Sequence, residues 1–528
     1  MDAPSPYTSD SSVVVTTPTS KTAIHILQTT QKAGDLGAIP APIHLLHSCD
    51  DLTMRTFAAA IIVACIALFV RLRLSHLNLS PQPFTLPDPP HFVPDNRLAN
   101  VPMATLGHND LVGPECLAIT PDGRSMFASL GDGRIVRLSD IDSSSTPTWT
   151  TVMRTGPGAT TKSCNDAAPG PPACFARCGA GGPGDDHATF GPSEYTCGRP
   201  LGLWLSTRRR MIPALVDDDH PPRRDENVND EESSALDDDD DDDVLLVADA
   251  YHGLLMITNI HQNDDSNTTI ISTTSAKMHI LATRADIDPT NYKFQLLNSL
   301  VQLSNGDIYM TETSTKYQRR RIFHAFMEGS STGRLLRYRE GSVTVVANNI
   351  YMANGLSISH DGRSLLIVSG VQILQYDISS GILHSRPFVS TMAGTGDNIK
   401  TMFVRPNGQR VNCYWAAMGG MYKQPFSLLH YVSNRVWLRS LLLALVPYGQ
   451  IINLVPKWTA LAIYDVDGVL IETLTYDGLL GGGDGGGGGG GAITAPWISE
   501  VEPVGHYLYF ASWYNPFLAR IDTRDIKF

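Results

Sequence analysis

The 528-residue chain has no basic stripe and no nucleic-acid-binding motif, which leaves no basis for DNA or RNA recognition. No paired C-x-x-C spacing with a neighbouring histidine is present, so a structural zinc site is not indicated. No uninterrupted apolar run reaches the roughly 20 residues of an ideal spanning helix. Phe57–Val70 comes nearest with 14. Residues 1–53 are rich in Ser, Thr and Pro, lack helical or strand periodicity, and read as a disordered tail. Basic residues are outnumbered, giving a net charge of −13, but residues 214–243 hold fifteen acidic side chains against Arg223 and Arg224 and carry the whole imbalance. Nothing in that excess marks a cationic partner. The run Asp237–Asp243 lies between LGLWLS and VLLVADAY and reads as a disordered surface insertion, with calcium buffering the lesser alternative. Gly481–Gly491 reads as a flexible loop.

What is present is a repeat. From Asn298 to Tyr338, NSLVQLSNGDIYMTETSTKYQRRRIFHAFMEGSSTGRLLRY sets alternating apolar runs on either side of an Asn-Gly turn, the pattern of consecutive antiparallel strands. Similar units begin at Asp122, Asp243, Asp361, Asn412 and His506, making six. A sheet of three or four short strands cannot bury both faces alone, so six tandem copies predict blades packed about a shared axis. The expected fold is an all-β, six-bladed β-propeller over residues 106–528, entered through a linker at 76–105, with an amino-terminal membrane-anchor helix and disordered insertions.

The anchor is expected at residues 54–75, with Met54 a second candidate start. Phe57–Val70 is bounded by Arg55, Arg71 and Arg73, and Leu72 and Leu74 extend it while the arginines snorkel. A cleaved signal needs small residues at its exit, which RLRLSHL does not supply; a buried core helix is the other alternative. Arginines on both flanks leave orientation open. Cys164, Cys174, Cys178 and Cys197 cluster in a Gly- and Pro-rich segment, which suits a disulfide involving Cys197 in an oxidising compartment. The segment 436–455, VWLRSLLLALVPYGQIINLV, is interrupted by Arg439 and Pro447. As a helix it would gather Trp437, Leu441, Leu442, Leu445 and Val446 on one face, predicting a lid on the propeller or, second, a surface dipping into lipid.

GPECLAITPDG, CGRPLGLWL, LLVADAYHGLL, GDIYMTETSTKYQRRRIF, GRLLRY, NGLSISHDG, GDNIK and ISEVEPVGHYLYFASWYNPFLARI, in this order from about Pro114 to Ile521, resemble the strictosidine synthase-like family. Within it they are most similar to the adipocyte plasma membrane-associated branch. The resemblance implies a six-bladed propeller, a single amino-terminal membrane anchor with the propeller lumenal or extracellular, in the endoplasmic reticulum, another endomembrane or the plasma membrane, and kinship with calcium-dependent lactonases and esterases.

It further implies a calcium ion at the channel mouth, held by Glu115 of GPE, Asn298 of NSL, Asn354 of NGL and Asp397 of GDN, with Asn398 assisting. Calcium takes 6 to 8 oxygen ligands, so two carboxylates and two amides leave room for water and a substrate oxygen. Taken singly, each of these residues is an ordinary turn former. Relatives commonly carry Asp where this chain has Ser299. True strictosidine synthases use a sixth-blade glutamate for proton transfer where this chain has Ser499, and strand alternation turns Glu500 away from the channel. His252, where relatives carry an aromatic, is a candidate channel base, although a lone strand histidine more often packs. Thr313–Arg321, TSTKYQRRR, is expected to form a polar loop near the channel mouth whose arginines steer anions or only solvate the loop.

The leading expectation is a membrane-anchored, calcium-dependent hydrolase of a small aryl ester or lactone. The alternatives are a non-catalytic propeller that binds a protein partner, and an amine–aldehyde condensing synthase, which Ser499 disfavours.

Overall fold

The computed structural model describes residues 47–88, 90, 94–156, 194–207, 243–260, 276–286, 293–422, 427–452, 455–476 and 495–528. The acidic insertion up to residue 242, the Gly481–Gly491 loop and tail residues 1–46 lie outside the described residues. The chain divides into two units, Met1–Cys65 and Ile66–Phe528. A helix runs His47–His76, and its segment Ala58–His76 is long and apolar enough to cross a membrane. Residues 47–53, expected in the tail, begin this helix, and neither proline nor glycine interrupts them.

The second unit holds six four-stranded antiparallel sheets, the six blades of a β-propeller. Their inner strands are Leu117–Ile119, Pro200–Thr207, Leu297–Gln302, Ala353–Ile358, Gly394–Val404 and Glu500–Val504, which neighbour one another in cyclic order. Each recurring sequence unit falls in its own blade.

Why several strands are apolar throughout, rather than alternating, follows from this packing. Every sheet is covered on both faces by its neighbours, so both side-chain sets of a strand are buried. In the second blade Leu245 and Val247 pack toward the first blade, against Phe127 and Ile135. Val244, Leu246 and Ala248 pack toward the third, against Leu297 and Met310. The fourth blade repeats the device: Leu365 and Ile367 face Tyr309 and Leu335, while Leu366 and Val368 face Ile399 and Tyr414. The core is therefore six apolar wedges between blades.

The ring is closed by chain ends. Met103–Leu106, expected in the linker, pairs antiparallel with Leu518–Asp522 and completes the sixth blade. A terminal strand docked this way removes two exposed sheet edges at once.

The Asp-Gly turns behave as their residues dictate. At the fourth blade the Asp361 carboxylate accepts from Ser359 Oγ and from the Arg363 N–H, and Gly362 sits at φ +70° with open space where a Cβ would stand. Gly362→Ala meets no steric clash and should cost about 1 kcal/mol through the left-handed backbone alone. Chemical denaturation of the variant checks this value.

Candidate functional site

The inner strands of blades three, four and five do not keep a regular ladder. Their pairing shifts between Leu297 and Leu300, between Ala353 and Leu356, and between Gly396 and Ile399. Asn298, Asn354 and Asp397 lie inside these three irregular steps. A bulge leaves its residue unpaired and re-aims its side chain. Glu115 enters just before the first blade's inner strand, its N–H donating to Ser129 O at 3.0 Å. All four residues line one cavity of about 410 Å³.

At the cavity floor, Asn354 Nδ2 donates to Asp397 Oδ1 at 2.8 Å, while Asn354 Oδ1 is buried with no hydrogen-bond partner among the described residues. Asn298 Nδ2 donates to Thr313 Oγ1 at 3.0 Å, which leaves its carbonyl oxygen as the end available to a ligand. Burial, and then the neighbouring Glu115, pushes the Asp397 carboxyl well above the usual carboxylate range. An orphaned amide oxygen and a strained carboxyl are what a hard cation would satisfy. Among the described residues no group of three His, Cys, Asp or Glu side chains could hold a metal, so this donor set depends on its amides as much as on its acids.

Two buried arginines that the sequence reading did not place in the site flank Glu115. Arg199 Nη2 donates to Glu115 Oε2 at 2.7 Å, and Arg319 Nη2 lies 3.6 Å from the same oxygen. Arg319 Nη1 also donates to Glu194 at 2.8 Å, and Glu194 in turn accepts from the Tyr251 hydroxyl. The TSTKYQRRR segment is therefore not a solvated loop throughout. Arg320 is exposed, but Arg319 is buried and lines the cavity. Glu194 lies more than a hundred residues from Arg319, and no local pattern announces such a pair.

The residues after Glu115 and Asn298, and Glu500 after Ser499, staple neighbouring blades. Cys116 Sγ accepts from the Leu203 N–H at 3.3 Å, Ser299 Oγ from the Leu356 N–H at 3.2 Å, and Glu500 Oε1 from the Leu117 N–H at 2.6 Å. Ser299 thus serves as an interblade acceptor. Glu500 is turned from the cavity, as alternation requires, and is paired with Lys400 at 2.7 Å. Ser499 Oγ donates to Glu115 O at 2.9 Å and fixes the backbone of that loop.

Asn398 donates its N–H to Ser499 O at 3.0 Å and does not line the cavity. Nor does His252, which lies in the hairpin after Asp243–Asp249, its N–H donating to Asp249 Oδ1 at 2.9 Å. Cys197 is disulfide-bonded; Cys164, Cys174 and Cys178 lie outside the described residues.

Over the cavity lies a helical roof. In place of one helix over 436–455, two short ones run Val436–Leu445 and Tyr448–Ile451, broken at Pro447, and a further one, Leu428–Ser433, precedes them. The expected packing face is also rotated: Trp437 and Leu445 are 67% and 59% exposed, whereas Arg439 and Leu443 are buried. Hydrogen bonding decides the rotation. Arg439 Nη1 donates to Met327 O at 2.7 Å and Glu328 O at 3.1 Å, Nη2 donates to Gln82 O, and the guanidinium stands 4.5 Å over the Phe84 ring.

The strictosidine synthase family model matches residues 298–379, and the strictosidine synthase-like amino-terminal model matches residues 91–138. The adipocyte plasma membrane-associated protein of Gallus gallus is 27% identical over 486 residues, covering 90% of each chain. Its Homo sapiens counterpart is 26% identical, over 89% of this chain and 90% of that one. Strictosidine synthase-like 13 of Arabidopsis thaliana is 27% identical over 32% of this chain and 41% of its own. Among solved structures, a Xanthomonas campestris gluconolactonase aligns at 13% identity and TM-score 0.39, covering 84% of this chain and 98% of that one. Regucalcin, a calcium-binding protein from Agrobacterium tumefaciens, aligns at 11% identity and TM-score 0.38, over 80% and 94%. The resemblance to the strictosidine synthase-like family read from the motifs between GPECLAITPDG and ISEVEPVGHYLYFASWYNPFLARI is borne out by these family matches, and adipocyte plasma membrane-associated proteins are relatives over most of the chain's length.

Proposed function

We propose that this protein is a membrane-anchored, calcium-dependent hydrolase of aryl esters or lactones. The observation that carries the reading is that Glu115, Asn298, Asn354 and Asp397, from four blades, line one cavity where a buried Asn354 oxygen has no hydrogen-bond partner among the described residues. Bound there, calcium would polarise a substrate carbonyl and stabilise the charge that develops when water attacks. Asp397 and the two amides would supply oxygens to the ion, Asn354 Nδ2 orients the Asp397 carboxylate, and Ser499 holds the Glu115 loop in register. Arg319 adds positive charge on the cavity wall, and the apolar roof limits water. Attachment through Ala58–His76 is supported by the names of the full-length relatives.

A second reading, a propeller that binds a protein partner without turnover, is favoured by the hold of Arg199 and Arg319 on Glu115 and by the use of Ser299 as a staple. A panel of aryl esters and lactones, assayed with the full chain in lipid nanodiscs, separates the two. The hydrolase reading expects turnover that disappears with chelator and returns with calcium. No turnover across the panel, or turnover indifferent to chelation, would favour the binding module or another mechanism.

A further inference from the structure

Above the four floor residues the cavity is almost wholly apolar. One side is the helix Ile322–Glu328, which presents Phe323, Phe326 and Met327. The roof adds Leu429, Val432 and Leu442. Trp497 and Trp513 stack with centroids 5.6 Å apart and planes 8° from parallel, forming a flat wall. Trp497 is buried and held at φ +55°, a conformation a bulky residue adopts only where its surroundings enforce it. Along the fifth blade the lining includes bare backbone at Gly394, Gly396, Gly419 and Gly420. A Cβ built on Gly419 would meet nothing nearer than Asp397 Oδ2 at 3.8 Å, so this glycine leaves space directly beside the floor.

We infer that the cavity accepts a substrate whose reacting carbonyl sits at the floor and whose remainder is a single alkyl or aryl group, with Gly419 determining how large that group can be. This rests on the hydrolase reading for the word substrate, but not for the binding it describes. The volume, about 410 Å³, is in the range that encloses small organic ligands, roughly 300–1,000 Å³. A polyhydroxylated lactone would leave its hydroxyls unpaired against the Phe, Met and Leu side chains, a penalty that apolar walls cannot offset. The sugar-like end of the lactone class is thereby disfavoured, and the hydrocarbon-bearing end favoured.

The test uses 2-alkanones from butanone to nonanone, which present a carbonyl and cannot be hydrolysed. Each is titrated calorimetrically into the full chain in nanodiscs with calcium, with empty nanodiscs as blank. Affinity is expected to rise about fourfold per added methylene until the cavity is full. Gly419→Ala should bind as the unaltered protein does. Gly419→Leu should weaken every ketone, and should lower the affinity for nonanone at least tenfold more than that for butanone. A flat series, or a Gly419→Leu protein that binds nonanone normally, overturns the inference. Should Gly419→Leu fail to fold, the length series on the unaltered protein decides alone. Rising ketone affinity with no ester turnover would sink the hydrolase reading and leave this one standing. Turnover confined to short or hydroxylated lactones would do the reverse.

Discussion

Replacing Asp397 with alanine is expected to lower calcium-dependent ester turnover by about 10²- to 10³-fold, the usual scale for removing one group that stabilises developing charge. The effect should be large because the two floor carboxylates are not equivalent. Glu115 is already matched by Arg199 at 2.7 Å and approached by Arg319 at 3.6 Å, whereas among the described residues the Asp397 carboxylate takes its hydrogen bond from the neutral Asn354 amide and has no ion pair. Asp397 is thus the acid whose charge is available to a cation.

The same asymmetry predicts opposite stability effects. A carboxyl whose folded pKa stands above its unfolded value subtracts stability as pH rises from the unfolded value toward the folded one. In chelator at neutral pH, Asp397→Asn should therefore melt at or above the unaltered protein. Glu115→Ala, which leaves the buried Arg199 guanidinium without its carboxylate, should melt well below it. Esterase rates with and without chelator, alongside thermal melts, check both arms. If Asp397→Ala keeps chelator-sensitive turnover, the proposed mechanism is wrong.

Arg439→Ala is expected to cost about 3–5 kcal/mol, the scale for breaking a buried charged network and leaving its partners unsatisfied. One guanidinium joins three segments distant in sequence: the linker at Gln82, the end of the helix Ile322–Glu328, and the roof helix Val436–Leu445. Its removal takes a donor from three carbonyls, of which Glu328 O keeps the Gln82 N–H at 2.7 Å, in a region where Phe84 also loses its cation. Arg439→Lys should rescue little, because a point charge cannot reproduce a planar fork spanning several acceptors. Hydrogen exchange at 322–328 and 436–445 should accelerate together in either variant. Unchanged exchange would mean that the apolar cluster of Leu79, Met327, Val432 and Leu443 holds the roof without help.

The repeat was legible because turns and apolar runs are local signals. Asp122-Gly123, Asn305-Gly306 and Asp361-Gly362 mark hairpins wherever they stand, and a sheet too small to cover itself forces the radial arrangement. The floor residues were legible only through family motifs, since Asn-Gly and Asp-Asn read equally well as turns. Three features were hidden for physical reasons. A bulge displaces the side-chain alternation by one residue, which a pattern search reads as noise around Asn298, Asn354 and Asp397. Buried arginines look like surface residues in sequence because charge is buried only when paired, and the partners of Arg199 and Arg319 lie in other blades or loops. The roof helix was assigned the wrong face because apolar periodicity was weighed without Arg439, whose three acceptors outrank the burial of Trp437 and Leu445.

During synthesis the segment Met103–Leu106 emerges about 400 residues before Leu518–Ile521, its mate in the sixth blade. At 5–20 residues per second the ribosome needs roughly 20–80 s to cover that distance. Throughout the interval the first and most recent blades each present an unmatched flank. The nascent toroid is thus obliged to wait, incomplete and sticky, for the mate of Met103–Leu106, so chaperone attendance should fall most heavily on this protein before Leu518–Ile521 emerges.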